Sequence, residues 1–334
     1  MTPSNHHQLA ERPRTSRVPS RRVYSSAGRR RRVLARGAIT ALFLVALVIA
    51  WIRVEEPGSV AAHRHAKAPA TALPVHLDWP REGQAAVAVD GFGTFTGPGT
   101  ETPVPIASVA KVMTAYLVLR EDPLEPGEEG FMMEVTEADV EDFHQRVDSN
   151  QSVVVVEAGE VLSERQALEA LMLPSANNVA VMLAVHEAGS IEAFLGEMNE
   201  AAAELGMGKT RYTDPSGLED TTVSTAADQL KLGRAAMADP TFAQIVAMPS
   251  TVLPVAGEVA NLNGLVGHEG FVGIKTGSDD AAGGCLLFAR RIEVDVRTRT
   301  MIGAVLGQRD GDLIDAALAG AKVLADSAAA AARR

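Results

Sequence analysis

Residues 105–119 read PIASVAKVMTAYLVL, and this stretch gives the first indication of the fold. Pro105 precedes a long apolar run, so a helix is predicted over residues 108–120. Ser108 and Lys111 stand three positions apart and therefore share one face of that helix. Ser108 falls in the first turn, where free backbone N–H groups and the helix dipole favour negative charge. The pair indicates a serine nucleophile with a lysine base beside it.

The scarcity of lysine makes Lys111 more informative than the pair alone. The chain has six Lys against 25 Arg, so arginine supplies most of its positive charge. Arginine does not release its proton in a protein, whereas a buried lysine does. An S-x-x-K pair is nevertheless expected about once by chance in a chain of this length. A helix N-cap serine followed by a snorkelling lysine explains the pair equally well.

A second candidate motif is Ser175-Ala176-Asn177, which follows Pro174 and separates two predicted helices. A short loop at this place can project a hydroxyl and an amide into a cleft. The hydroxyl can relay a proton, and the amide can bond both a lysine and a substrate carbonyl. The alternative is a simple helix N-cap formed by Ser175 or Asn177.

The third candidate motif is Lys275-Thr276-Gly277, which is predicted to end a strand and is followed by Ser278. A strand that borders a cleft can bind an extended substrate by backbone pairing. Lys275 offers a positive charge for a carboxylate or for a proton relay, and Gly277 leaves the strand open to substrate. An ordinary strand end and turn is the alternative explanation.

The pattern along the chain predicts an α+β fold, with a mostly helical section inserted into a sheet. The sheet draws its edges from both ends of the folded region. A capping box marks the helix that begins at Ser163, with Gln166 at its third position. Strands are predicted at residues 85–90, 272–275, 285–290 and 301–306. Helices are predicted at residues 108–120, 163–173, 178–187, 191–205, 226–238 and 312–331.

Charge and cysteine content exclude several classes of function. The chain of 334 residues has a net charge of −11, but residues 1–36 hold ten Arg and a single acidic residue, Glu11. The remainder is strongly acidic, which argues against nucleic-acid binding. Cys285 is the only cysteine and excludes an internal disulfide or a cysteine-based zinc cluster. Metal-ligand spacing is absent around three histidines, His144, His186 and His268. The sequence shows no sign of an organic cofactor either, so we expect neither a metal nor a cofactor.

The N-terminal region predicts a membrane anchor. Residues 1–36 form a basic arm, and residues 37–52, GAITALFLVALVIAWI, carry no charge. We interpret them as a disordered cytoplasmic arm and a single-pass transmembrane signal-anchor, since four arginines at residues 29–32 precede the apolar run. Residues 53–80 are a predicted linker, and residues 81–328 a catalytic domain outside the cell membrane. A cleaved signal peptide is the alternative.

The three motifs in this order resemble those of the D-alanyl-D-alanine carboxypeptidase family of low-molecular-weight serine penicillin-binding proteins. The likeness extends beyond the motifs to EAGEVLSERQALEALMLPSANNVAVMLA, FLGEMNEAAAELGMGKTRYTDPSGL and NLNGLVGHEGFVGIKTG. It runs from about Gln84 to Asp326 and omits the N-terminal arm, anchor and linker.

The resemblance implies the β-lactamase/DD-peptidase-like fold, an antiparallel sheet flanked by helices with an inserted helical subdomain. It implies that Ser108 attacks the carbonyl of the penultimate D-alanine of a peptidoglycan stem peptide, and that β-lactam antibiotics acylate the same serine. By the same matching, Lys111 is the base, and Ser175 and Asn177 assist proton transfer and hold the substrate. Such an enzyme would act in cell wall biogenesis.

The resemblance also assigns the substrate-binding strand. Lys275 and Thr276 would meet the terminal carboxylate of the stem peptide, and Gly277 would keep the strand accessible. The backbone N–H groups of Ser108 and Ser278 would form an oxyanion hole, a large contribution to acyl-transfer catalysis.

Three positions, Ala176, Asp279 and Leu262, depart from the family pattern. Ala176 replaces a common glycine, and Asp279 stands where threonine is frequent, so its carboxylate would weaken the binding of a substrate carboxylate. Arg309 is the nearest candidate for an arginine that often assists there. Leu262 occupies a place where some relatives carry arginine.

Two alternatives stay open at this point. A DD-endopeptidase, which cuts cross-links, fits the same motifs. A non-catalytic cell-wall binding protein that retains the fold is the other. A class A β-lactamase is disfavoured, because no segment after the second motif matches its deacylating glutamate.

Overall fold

The computed structural model describes residues 76–334. The predicted basic arm and anchor, with nearly all of the linker, lie outside these residues. Within residues 76–334, no single helix is long and apolar enough to cross a bilayer. One bent pair of helices, Asn177–Ala188 and Ile191–Glu204, meets at 87° and passes that test of length and composition only when taken together.

A five-stranded antiparallel sheet forms the centre of the described region, in the order β2-β1-β11-β10-β9. Its strands are β1 (Gln84–Val89), β2 (Gly93–Thr96), β9 (Phe271–Asp279), β10 (Gly283–Val294) and β11 (Arg297–Gln308). The first strand of the region, β1, therefore pairs with its last strand, β11. Three two-stranded pairs lie outside this sheet: β3 (Val104–Pro105) with β6 (Val223–Ser224), β4 (Met132–Glu134) with β5 (Val161–Ser163), and β7 (Ser250–Leu253) with β8 (Gly257–Ala260).

Helices cover both faces of the sheet. They are α1 (Lys111–Glu121), α2 (Glu137–Asp148), α3 (Glu164–Met172), α4 (Asn177–Ala188), α5 (Ile191–Glu204), α6 (Ala226–Met237), α7 (Pro240–Val246) and α8 (Leu313–Ala332). Helix α8 packs on one face, and α6 packs on the other. All six residues of β1 are buried, because alternate side chains enter two separate hydrophobic cores. The arrangement confirms the predicted α+β fold with a helical insertion between β2 and β9.

Local sequence signals explain most helix boundaries. Ser163 and Gln166 form the predicted capping box at the start of α3, and Gly189 ends α4 in a left-handed conformation. Helix α2 was not predicted, although Thr136 and Asp139 form a second capping box at its start. Its sequence, EADVEDFHQRVD, is mostly polar and none of its residues is fully buried, so it lacks the apolar content that marks a core helix.

Two predicted boundaries were wrong in ways that matter for chemistry. The helix predicted at 108–120 begins as a 3-10 turn, Ala107–Ala110, and becomes α-helical only at Lys111. The strand predicted at 272–275 continues to Asp279, so the Lys275-Thr276-Gly277 motif lies inside β9 and not at its end. The strand extends because β10 pairs with it up to the turn, where the Asp279 carboxylate accepts a hydrogen bond from the backbone N–H of Ala282 at 2.6 Å.

Candidate active site

Ser108 lies in the 3-10 turn that precedes α1, half-buried, with a constrained backbone before it. Ala107 has a φ of 45°, in the left-handed region that residues with a side chain seldom occupy. Gly217 packs directly on this turn, because a Cβ there would lie 1.8 Å from the carbonyl oxygen of Ala107. The loop around Gly217 therefore fixes the turn that presents the serine.

Lys111 is fully buried, and its amine contacts three oxygen atoms. Its Nζ lies 2.7 Å from Ser108 Oγ, 2.6 Å from Asn177 Oδ1 and 2.9 Å from the carbonyl oxygen of Ser216. The two carbonyl-type oxygens can only accept, whereas the serine hydroxyl can also donate. An uncharged amine therefore fits the site fully: it donates to Asn177 and Ser216 and accepts the proton of Ser108.

Burial is the main reason that the pKa of Lys111 lies well below its ordinary value. The positive charges of Lys275 and Arg146 lower the pKa further, and the Asp214 carboxylate opposes them. A lysine in this setting gives up its proton more readily than an exposed lysine, and an unprotonated amine is what a base for a serine hydroxyl requires.

The structure joins Asn177 to the serine–lysine pair but leaves Ser175 without a bond to either of them. Asn177 opens α4, and its backbone N–H donates to the carbonyl oxygen of Ser152 at 2.8 Å. Ser175 has a φ of 70° and is buried, and its Oγ has no hydrogen-bond partner within residues 76–334. An unsatisfied buried hydroxyl costs stability. Its hydrogen-bonding capacity is therefore available to a bound substrate.

Strand β9 brings the third motif against the Ser108 turn. A Cβ at Gly277 would lie 2.8 Å from the backbone nitrogen of Ser108 and 3.0 Å from that of Val109, so only glycine allows this approach. Lys275 is buried, its pKa is lowered to about 7 by burial, and its Nζ donates to the carbonyl oxygen of Thr276 at 3.0 Å. Among the described residues β9 pairs only with β10, which leaves its other edge for an extended peptide.

Ser278 and Thr276 occupy the next positions of the same strand. Thr276 is buried, and Ser278 is exposed immediately after the glycine that contacts the Ser108 turn. The predicted oxyanion hole, formed by the backbone N–H groups of Ser108 and Ser278, stays a prediction.

Asp279 and Arg309 both take part in the β9–β10 turn. Burial raises the pKa of Asp279, whose carboxylate accepts from Ala282 as described above. The guanidinium of Arg309 donates to the carbonyl oxygens of Asp280 at 2.9 Å and Ala281 at 2.6 Å. The structure therefore gives both charged groups partners within the turn.

The loop that brings a carbonyl oxygen to Lys111 was not predicted from the sequence. The Asp214 carboxylate accepts hydrogen bonds from the backbone N–H groups of Ser216 at 3.0 Å and Leu218 at 2.8 Å, and from Thr222 Oγ1 at 2.6 Å. These bonds order the loop so that the Ser216 carbonyl faces the amine. The D-P-S-G order, with an acidic side chain three residues before a glycine, was the available sequence signal.

Two further side chains reach the site from α2 and the segment after it. Asn177 Nδ2 donates to Gln151 Oε1 at 3.1 Å, and Arg146 Nη1 donates to the same oxygen at 2.9 Å. Neither residue was predicted. Within residues 76–334, no group of three or more His, Cys, Asp or Glu side chains is arranged to hold a metal ion.

Comparisons with known proteins agree with this geometry. The profile of the peptidase S11 family, D-alanyl-D-alanine carboxypeptidase, matches residues 95–309. A D-alanyl-D-alanine carboxypeptidase of Mycobacterium tuberculosis is 34% identical over 221 residues, which are 64% of this chain and 71% of the relative. A D-alanyl-D-alanine endopeptidase of Escherichia coli is 32% identical over 195 residues, 55% of this chain and 58% of the relative.

A solved structure shares the architecture. The crystal structure of the Streptomyces K15 DD-transpeptidase superposes with a TM-score of 0.67 at 26% identity, covering 77% of this chain and all of the other. The crystal structure of a D-alanyl-D-alanine carboxypeptidase from Mycobacterium tuberculosis gives a TM-score of 0.63 at 30% identity, covering 78% of this chain and 95% of the other.

Proposed function

Because this chain belongs to the D-alanyl-D-alanine carboxypeptidase family, we propose that Ser108 is its acylated nucleophile and Lys111 the base that activates it. The protein is a serine D-alanyl-D-alanine carboxypeptidase, an enzyme that removes the terminal D-alanine of peptidoglycan stem peptides and reacts with β-lactams. The three contacts of the Lys111 amine are the observation that carries the assignment of roles.

The geometry supports a two-step reaction. Lys111 takes the proton of Ser108, and Ser108 Oγ bonds to the carbonyl carbon of the penultimate D-alanine. The C–N bond then breaks, the proton goes to the departing amine, and D-alanine leaves. Water attacks the acyl group on Ser108, the C–O bond to the serine breaks, and the serine recovers a proton. A β-lactam undergoes the same first step: Ser108 Oγ bonds to the carbonyl carbon of the β-lactam ring, and the C–N bond of the ring breaks.

Substrate recognition would use the edge of β9 that pairs with no other strand within residues 76–334. The peptide backbone would run along this edge, with its terminal carboxylate near Lys275 and Thr276. A protonated Lys275 supplies the charge, and its burial strengthens the attraction because few water molecules screen it. Ser175 and Asn177 would hold the substrate from the opposite side.

Labelling with a fluorescent penicillin tests the assignment. The parent protein should carry one covalent label that survives denaturation, and Ser108→Ala should carry none. A label of equal intensity on Ser108→Ala would exclude Ser108 as the nucleophile. Release of D-alanine from a pentapeptide then establishes that a natural substrate is used.

A second candidate activity is DD-endopeptidase action, favoured by the similarity to endopeptidases of Escherichia coli and Pseudomonas aeruginosa, both 32% identical. The purified protein should be given a pentapeptide and a cross-linked muropeptide dimer at equal concentration. Faster cleavage of the dimer would make the endopeptidase the main activity, and faster loss of terminal D-alanine the carboxypeptidase.

The same proposal includes a location for the enzyme. The uncharged residues 37–52 and the arginines before them support a single-pass anchor in the cell membrane, with the catalytic domain outside the cell, facing peptidoglycan. Protease treatment of intact cells should degrade the catalytic domain of an anchored protein. A mature N-terminus after residue 52 would show instead that a signal peptide is removed.

A further inference from the structure

A chain of hydrogen bonds leads from the surface to the serine–lysine pair. Arg146 Nε pairs with Asp142 at 2.6 Å, and Arg146 Nη1 donates to Gln151 Oε1 at 2.9 Å. Gln151 Oε1 also accepts from Asn177 Nδ2 at 3.1 Å, and Asn177 Oδ1 accepts from Lys111. Each group in the chain therefore touches the next, and Lys111 touches Ser108.

The first member of this chain fixes the orientation of the others. A guanidinium can only donate, so the Gln151 atom that meets Arg146 must be the amide oxygen. Because that oxygen also faces Asn177, the Asn177 atom next to it must be the NH2 group. The amide oxygen of Asn177 is consequently the atom that faces Lys111. The identity of each amide atom thus follows from one charged residue on α2.

The opposite orientation of Asn177 would disable the base. An NH2 group would then face the Lys111 amine, and it would donate to the lone pair that should accept the Ser108 proton. One acceptor for the lysine protons would be lost at the same time. The orientation of one amide therefore decides whether the lone pair of Lys111 points at the serine.

We propose that Arg146 and Gln151 are positioning residues for acyl transfer, which hold the Asn177 amide with its oxygen on Lys111. This inference rests on the proposed roles of Ser108 and Lys111. The two residues are well placed to act together, because the backbone N–H of Gln151 donates to the carbonyl oxygen of Arg146 at 3.0 Å. The side chain of Arg146 is only 15% exposed, which restricts the other conformations that it can adopt.

Arg146 also contributes a charge near the base. The charged groups that act on Lys111 are Arg146 on α2, Lys275 on β9 and Asp214 in the loop before β6. Loss of Arg146 removes one of the two positive charges that lower the pKa of Lys111. The acidic limb of the acylation rate should then move to higher pH, an effect that a merely structural role would not produce.

The test measures the acylation rate constant with a fluorescent penicillin across pH for four variants. Gln151→Leu and Arg146→Leu should each lower the rate by about tenfold or more, as expected for a displaced catalytic group. The double variant should be no slower than the slower single variant, because both changes interrupt the same series of hydrogen bonds. Gln145→Leu is the matched control, since its exposed side chain bonds only to Glu141 on the same helix, and its rate should equal that of the parent.

A conservative variant separates positioning from folding. Gln151→Glu keeps an acceptor for both Arg146 and Asn177, so at alkaline pH its rate should recover to within about threefold of the parent. Its added negative charge should move the acidic limb to higher pH. The inference is overturned if either leucine variant stays within threefold of the parent, if the two losses multiply, or if Gln151→Glu is as slow as Gln151→Leu. A parent protein that takes no Ser108-dependent label would instead overturn the proposed function itself.

Discussion

The amide oxygen of Asn177 lies 2.6 Å from the amine of Lys111, although 66 positions separate the two residues. Their contact joins the first residue of α4 to the first residue of α1. Each residue stands at a helix start, where side chains project beyond the helix body. The surroundings of Lys111, the proposed base, are thus assembled from two helices and a loop, and several single changes should alter them in predictable ways.

Replacing Lys111, the proposed base, with a residue that cannot lose its proton should abolish most activity. Lys111→Arg keeps the positive charge but removes the lone pair, so the acylation rate should fall by about 10²- to 10⁴-fold. The fluorescent penicillin assay measures this rate. Lys322→Arg, on the exposed face of α8, is the control and should react like the parent. An Lys111→Arg variant that keeps a tenth of the parent rate would show that another group is the base.

A carboxylate beside the lysine should change the pH at which the enzyme works. Asn177→Asp places a negative charge next to the Lys111 amine, which favours its protonated form and raises its pKa. The acidic limb of the acylation rate should move to higher pH by at least about one unit. Rates measured between pH 5 and 10 will test this. An unchanged limb would mean that Lys111 is not the group titrating in the rate profile.

The buried Lys275 should make stability depend on pH in a defined direction. Its pKa in the folded protein is about 7, below the ordinary value of 10.5, because burial penalises its charge. Between these two values the unfolded chain binds the additional proton, so the free energy of unfolding rises with pH. One such group contributes a slope of up to about 1.4 kcal/mol per pH unit.

Urea unfolding at several pH values between 7.5 and 9.5 compares the parent with Lys275→Met. In Lys275→Met, the free energy of unfolding should rise less steeply with pH, by up to about 1.4 kcal/mol per pH unit. The control is Lys322→Met, because Glu269 raises the pKa of Lys322 and its titration therefore lies above this range. Equal slopes in the parent and in Lys275→Met would contradict the proposed burial of the lysine.

The close approach of β9 to the nucleophile should not tolerate a side chain. Gly277→Ala places a methyl group 2.8 Å from the Ser108 nitrogen, so the strand and the turn must separate. A displacement of this kind should lower the acylation rate by about 10- to 100-fold. Gly196→Ala in α5 is the control, because nothing lies within 4 Å of its added Cβ. A normal rate for Gly277→Ala would show that the approach is not needed for acylation.

The position of Arg309 predicts a structural role. Its guanidinium donates to two carbonyl oxygens of the β9–β10 turn, so Arg309→Leu should lower the thermal unfolding midpoint. The KM for a pentapeptide should stay within about twofold of the parent. A tenfold rise in KM without loss of stability would assign Arg309 to the substrate carboxylate instead.

Some site residues could be predicted from the sequence alone. These are the residues whose side chains lie close together along the chain or belong to a recognised motif. Ser108 and Lys111 lie one helical turn apart, so their contact could be predicted from spacing. The Ser216 contact could not be predicted in the same way, because any residue type offers a backbone carbonyl and only the folded loop decides where it points.

The positioning residues escaped prediction for a different reason. Arg146 and Gln151 reach Asn177 through the packing of α2, a mostly polar helix with no fully buried residue. The strand motif was found, but its place inside β9 was not. Strand length depends on the pairing partner β10, and short-range signals do not encode that partner.

The pairing of β1 with β11 has a consequence for how the enzyme comes into being. Glu82 and Arg309, which hydrogen-bond beside this pair of strands, are 227 positions apart. Contacts of such long range form slowly, and a growing chain cannot make them until its last strand has been synthesised. The nucleophile is made early, whereas β9, which fixes its surroundings, comes much later. The reactive serine should therefore stay inert through most of translation and gain its reactivity only when the sheet closes.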